Sequence, residues 1–180
     1  MIKIVLYGPE STGKTTLAAD LARRLNTLWV PEFARGYLDE KRAYYDPFGR
    51  TSDEVCQPQD IPHIVVGQIV LEDAMEKQAN RFLICDTNLL QTRVYNFYYY
   101  NRIDAWLESS IQQRPYDLYL LTDIDVPWED DPLRDITANR KKLFDLFRKE
   151  LTDRNFPYTI LSGSHEQRLE QALHHLKRLG

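Results

Sequence analysis

Eight consecutive residues, Gly8-Pro9-Glu10-Ser11-Thr12-Gly13-Lys14-Thr15, carry the spacing Gly-x4-Gly-Lys-Thr. That spacing suits phosphate. Glycines let successive backbone N–H groups turn inward around phosphate oxygens, a lysine reaches the β- and γ-phosphates, and a hydroxyl holds Mg²⁺. Lys14 and Thr15 occupy the last two places, so ATP with Mg²⁺ is the expected ligand pair. A helix starting at the loop would add its positive N-terminus. A chance glycine-rich turn is the competing reading, and the segments on either side argue against it.

Further candidates follow the later apolar segments. Asp86 comes directly after Phe82-Leu83-Ile84-Cys85. At the carboxyl end of a buried strand, beside a phosphate loop, an acid can orient Mg²⁺ through water or take the proton of an acceptor hydroxyl. It could equally cap the helix that follows Thr87-Asn88. Glu32 and Arg35, three residues apart after Leu28-Trp29-Val30, share one helix face directed at the same mouth. Read as a surface ion pair, they would contribute only about 0–1 kcal/mol.

Trp128 and Arg134 lie in a stretch of acids and prolines. It reads as a closing lid over about 127–138 whose arginine meets the transferring phosphoryl group, or as a solvated acidic turn, which composition alone favours. Arg140, with Lys141 and Lys142, opens a basic helix start that could face ATP, although such residues usually face water. Gly163 would let the backbone approach a nucleotide base, or is a simple turn. Among Tyr95, Phe97, Tyr98, Tyr99 and Tyr100, core packing is the better default over stacking on a substrate ring. The four histidines have neither metal nor triad spacing.

The elements that must position these residues alternate. Ile2 to Tyr7 reads as a strand, and Leu17, Leu21 and Leu25 with Ala18 and Ala22 form the stripe of a helix. Leu28-Trp29-Val30 is a short strand broken at Pro31, and Tyr44 to Gln59 an irregular excursion. Helices are predicted from Pro62 to about Asn80, Leu89 to Tyr99, Asp104 to Gln112 and Arg140 to Leu151. Phe82 to Cys85 is a continuous apolar run suited to a parallel strand covered on both faces, Leu118 to Leu121 reads as another buried strand, and Pro157 to Leu161 as the last. Ser164-x-x-Gln167 matches a capping box for a final helix striped by Leu169, Leu173 and Leu176. Five strands alternating with helices predict an α/β chain with a parallel sheet wrapped by helices.

Composition sets the outer limits. With 180 residues, 43% hydrophobic and 28% charged, the chain is expected to be one globular domain over 1–180. A net charge of -4 without a basic stripe gives no reason to expect nucleic acid. No apolar run reaches the length of a membrane span, and Met1-Ile2-Lys3 leads straight into the first strand, so a cytoplasmic location is expected. Cys56 and Cys85 have no metal-ligand spacing, and Cys85 reads as a small buried hydrophobe. The sequence accommodates a homo-oligomer without requiring one.

Taken together, Gly8 to Thr16, Glu32-Phe33-Ala34-Arg35, Asp86-Thr87-Asn88, Val126-Pro127-Trp128 to Asp130 and Leu133-Arg134 resemble the ribosylnicotinamide kinase (NadR-type) domain of the phosphate-loop kinase superfamily. The resemblance spans nearly the whole chain. It implies a three-layer phosphate-loop NTPase fold like that of nucleoside kinases, with a lid. It also implies ATP-dependent phosphorylation of the ribose 5′-hydroxyl of nicotinamide riboside. Gly8 through Thr16, with Arg140 and Gly163, would then serve ATP, and Thr15 and Asp86 would serve Mg²⁺. Glu32, Phe33, Arg35, Asn88 and Trp128 would meet the riboside, and Lys14, Asp86, Glu32 and Arg134 would carry the transfer. Asn88 stands where the family commonly has a second acid, and Phe33 replaces a frequent tyrosine. No His-x-Gly-His motif accompanies the kinase motifs, so adenylylation is not expected.

Two rivals remain at this level: a kinase for another nucleoside or small alcohol, and a regulatory ATPase. Asp46-Pro47-Phe48-Gly49 fits the loose Asp-x-x-Gly pattern of GTPases, but it lies in the wrong segment and no Asn-Lys-x-Asp motif follows.

Overall fold

The computed structural model describes residues 1–45, 56–126 and 139–179. The expected lid, with Trp128 and Arg134, lies outside the described residues, as does the Asp46 to Gly49 segment.

The elements run β1 (Ile2–Tyr7), α1 (Lys14–Arg24), β2 (Leu28–Val30), α2 (Phe33–Tyr45), α3 (Ile61–Glu76), β3 (Phe82–Asp86), α4 (Leu89–Tyr100), α5 (Ala105–Gln112), β4 (Leu118–Thr122), α6 (Arg140–Asp153), β5 (Tyr158–Leu161) and α7 (His165–Leu176). The strands form one five-stranded sheet in the order β2-β3-β1-β4-β5. Every pairing is parallel. The chain therefore reverses its direction of winding beside β1, between β3 and β4, where open α/β sheets place ligands.

Alternation along the strands splits the core in two. Ile4 and Leu6 of β1 face Leu17 and Leu21 of α1 and Leu169 and Leu176 of α7. Val5 and Tyr7 face the opposite layer, built from Val65, Leu90, Val94 and Phe147 on α3, α4 and α6. Helices cover both faces, which makes this the three-layer α/β phosphate-loop NTPase fold. Cys85 lies inside it, where burial pushes its thiol well up.

Some local details differ from the sequence reading. A thirteen-residue helix, α2, follows β2 and reaches Tyr45, beyond the residues read as helical around Glu32. The helix from Ile61 stops at Glu76 rather than near Asn80. Asp104 does sit at the start of α5, but its carboxylate does not cap the helix. It accepts instead from Asn96 Nδ2 at 2.9 Å and Arg102 Nη2 at 2.7 Å. The capping box of Ser164 and Gln167 forms as read.

Candidate functional site

The phosphate loop is a sharp turn between β1 and α1. Gly8 has φ 132° and Gly13 φ 78°. At Gly8 a side chain would be strained and crowded, since a Cβ would meet Thr122 Oγ1 at 3.0 Å and Thr122 O at 3.1 Å. The Thr12 hydroxyl pins the turn, donating to Pro9 O at 2.8 Å and lying 2.7 Å from the Thr122 hydroxyl. Lys14, 8% exposed, donates from Nζ to Pro9 O at 2.6 Å, which keeps the cation over the loop.

Because β3 pairs with β1 and places Asp86 level with Leu6, the strand-end acid arrives beside the first turn of α1. There the Thr15 hydroxyl donates to Asp86 Oδ2 at 2.5 Å. The other oxygen, Asp86 Oδ1, is buried and has no hydrogen-bond partner among the described residues. Glu32 approaches from the end of β2. Its Oε1 accepts from Gln91 Nε2 at 3.3 Å, and Arg35 Nε stands 4.0 Å from Oε2. Burial first, then the charge of Asp86, push the Glu32 carboxyl up to about 7, against the pull of Lys14 and Arg35. Burial also raises Asp86, while Lys14 and the Thr15 hydrogen bond hold it down.

A cavity of about 780 Å³ joins the phosphate loop to Glu32 and Arg35. Such a volume suits a small-molecule ligand. Residues Glu10 to Thr16 form one end, and Glu32, Arg35, Gln68, Gln91 and Tyr95 are among those lining the other.

A family model described as an AAA domain, AAA_28, matches residues 3–168. The chain belongs to the AAA_28 family of AAA domains. It is 28% identical over 158 residues, 86% of its length, to the trifunctional NAD biosynthesis/regulator protein NadR of Escherichia coli (strain K12). The chain spans 37% of the length of that relative. A solved NadR protein in complex with NR shares the fold at TM-score 0.71 and 23% identity, covering 95% of this chain and 48% of that one. Another, in complex with NAD and AMP-PNP, shares it at TM-score 0.75 and 21% identity, covering 98% and 49%.

Within this AAA_28 domain the expected site residues divide. Lys14, Thr15, Thr16, Glu32, Arg35 and Glu10 through Gly13 meet at the cavity, and Asp86 sits behind Thr15. Gly8 and Pro9 shape the turn instead of lining it. Four expected ligand contacts lie elsewhere, Arg140 among them. Phe33 packs its ring over Gly67 of α3, where a Cβ would come within 2.1 Å, and stacks on Tyr37. Asn88 is 1% exposed and satisfied internally, accepting from the Leu90 N–H at 3.2 Å and donating to Tyr119 Oη at 3.0 Å. Gly163 donates to Asp125 Oδ2 at 2.6 Å and does not line the cavity.

The AAA_28 loop is also clamped by two arginines. Arg140 donates to Ser11 O at 3.0 Å and Val126 O at 2.8 Å. Arg168, 2% exposed on α7, donates to Thr12 O at 2.7 Å, Gly163 O at 2.9 Å and Asp123 O at 3.1 Å, and pairs with Asp125. Arg168 escapes sequence reasoning because an arginine in a helix start as polar as His165-Glu166-Gln167 is ordinarily assigned to solvent. Gln68 and Gln91 escape it as well, each 3% exposed in the cavity wall. Of the aromatic run, Tyr95, Tyr99 and Tyr100 line the cavity, and Tyr95 also packs edge-on against Phe147 at 5.4 Å.

Proposed function

We propose that the chain is an ATP-dependent kinase that phosphorylates the ribose 5′-hydroxyl of nicotinamide riboside. The observation that carries the reading is the meeting of a phosphate loop and the half-buried Glu32 carboxylate in one cavity, with the buried Asp86 carboxylate directly behind Thr15. Kinship with NadR over 86% of the chain supports the substrate, reading the NR of the solved complex as nicotinamide riboside.

In this scheme the loop N–H groups and Lys14 hold the phosphates, and Arg140 and Arg168 keep the loop's carbonyls turned away from them. Thr15 and Asp86 Oδ1 provide the hard oxygens Mg²⁺ prefers, and the ion would neutralise charge on the β- and γ-phosphates. Glu32 takes the proton from the 5′-hydroxyl as its oxygen bonds to the γ-phosphorus. The bond from that phosphorus to the β,γ-bridging oxygen breaks, and ADP leaves with the electron pair. A carboxyl poised near neutrality suits this proton transfer. The cationic pyridinium is drawn to the carboxylates and to the faces of Tyr95 and Tyr99.

The test is ADP release from Mg²⁺-ATP, alone and with nicotinamide riboside or ordinary nucleosides, alongside mononucleotide assay. Strong stimulation by nicotinamide riboside with equal mononucleotide formation is expected. Stimulation by another nucleoside alone would keep the kinase and discard this acceptor. Slow hydrolysis indifferent to every acceptor would favour a regulatory ATPase.

A further inference from the structure

The two buried glutamines of the cavity carry an arrangement the transfer scheme does not use. Gln68 Oε1 accepts the Phe33 N–H at 2.9 Å. That bond orients the amide, because the oxygen must face the N–H, and leaves Nε2 as a buried donor with no partner among the described residues. Gln91 is the converse. Its Nε2 donates to Glu32 Oε1 at 3.3 Å, which leaves Oε1 as a buried acceptor with no partner among the described residues. Glu32 and Phe33 are consecutive, so the two amides are anchored on either side of one step of chain. Buried polar atoms are ordinarily paired, and a ligand is the natural counterpart of an unused pair in a cavity wall.

We propose that Gln68 and Gln91 read a primary carboxamide on the acceptor's ring. The carboxamide oxygen accepts from Gln68 Nε2, and its N–H donates to Gln91 Oε1. A carboxylate in the same place would set its charge against Gln91 Oε1 and Glu32, and a ketone would satisfy Gln68 alone. The inference rests on the pyridinium riboside reading above and adds the basis of selection among such ribosides.

The experiment compares kcat/KM for three pyridinium ribosides whose ring substituent is carboxamide, acetyl or carboxylate. Wild type, Gln91→Met and Gln68→Met are used, with thermal unfolding and Mg²⁺-ATP affinity measured for each. Wild type is expected to prefer carboxamide over acetyl by about tenfold or more, since the acetyl group leaves a buried acceptor unpaired. Gln91→Met should erase that preference, while Gln68→Met lowers both substrates and keeps their ratio. If Gln68→Met fails to fold, having released the Phe33 N–H, the Gln91→Met ratio decides alone. A preference that survives in Gln91→Met overturns the proposal, as do equal rates for all three ribosides in wild type. The latter result leaves the kinase reading standing. Failure of every pyridinium riboside while another nucleoside is phosphorylated overturns both.

Discussion

The Thr15 hydroxyl and the Asp86 carboxylate meet at 2.5 Å across 71 positions of sequence. This contact joins the phosphate loop to the end of β3, and it makes Asp86 more than a cap for α4. Asn88 fills the cap position instead, with its side chain accepting from the Leu90 N–H.

Asp86→Asn should therefore lower kcat by about a hundredfold or more at saturating Mg²⁺, with little change in thermal stability. The amide keeps the shape but loses the charge. Steady-state rates over a Mg²⁺ titration check this, and an unchanged kcat would leave Asp86 a purely structural partner of Thr15.

Glu32 sets the acid limb of the pH profile. Its carboxyl is pushed up to about 7, so the ionised form needed to accept a proton fills as pH rises through that region. kcat/KM should rise with pH and level off above it, and Glu32→Gln should flatten the limb and cut the rate by about 10²–10⁴. The stability effect has the opposite sign. Between the ordinary carboxylate pKa and about 7 the native state holds more protons than the unfolded chain, so this group lowers stability as pH climbs. Glu32→Gln should thus raise Tm more at pH 8 than at pH 5, read by thermal melts at both.

Arg168 tests the clamp on the loop. Arg168→Leu removes its bonds to Thr12 O, Gly163 O and Asp123 O and leaves buried carbonyls unpaired. A loss of about 2–4 kcal/mol in urea denaturation is expected, together with a higher KM for ATP. A weaker ATP interaction without lost stability would mean the arginine acts on the nucleotide directly.

Gly67→Ala separates the two ends of the cavity. The new methyl would meet the Phe33 ring at 2.1 Å, so the start of α2 has to shift, carrying Glu32 with it. KM for the riboside should rise severalfold while that for ATP holds, as separate substrate titrations would show. Equal effects on both would place the damage in the sheet as a whole.

Much of this was legible locally. The loop's chemistry lies in contiguous residues, and β1, β3 and β4 were readable as apolar runs because a strand covered on both faces has no polar side to show. Asp86 was readable for a related reason: its place at the end of such a run is itself a sequence property. Helix α2 was read only around its start, at Glu32 and Arg35, although the residues that follow to Tyr45 are amphipathic.

Contiguous residues alone spell out the phosphate-loop motif, the alternation of strands and helices, and the acids standing at strand ends. Tertiary structure alone decided which of these meet. The order β2-β3-β1-β4-β5 sets β3 against β1, and only that adjacency brings Asp86 to Thr15. The burial that lifts Glu32, the turning of Phe33 onto Gly67 and the capture of Thr12 O by Arg168, 156 positions away, are likewise products of packing. Local propensity is written residue by residue, whereas desolvation and hydrogen-bond partnership depend on distant chain arriving at the same place.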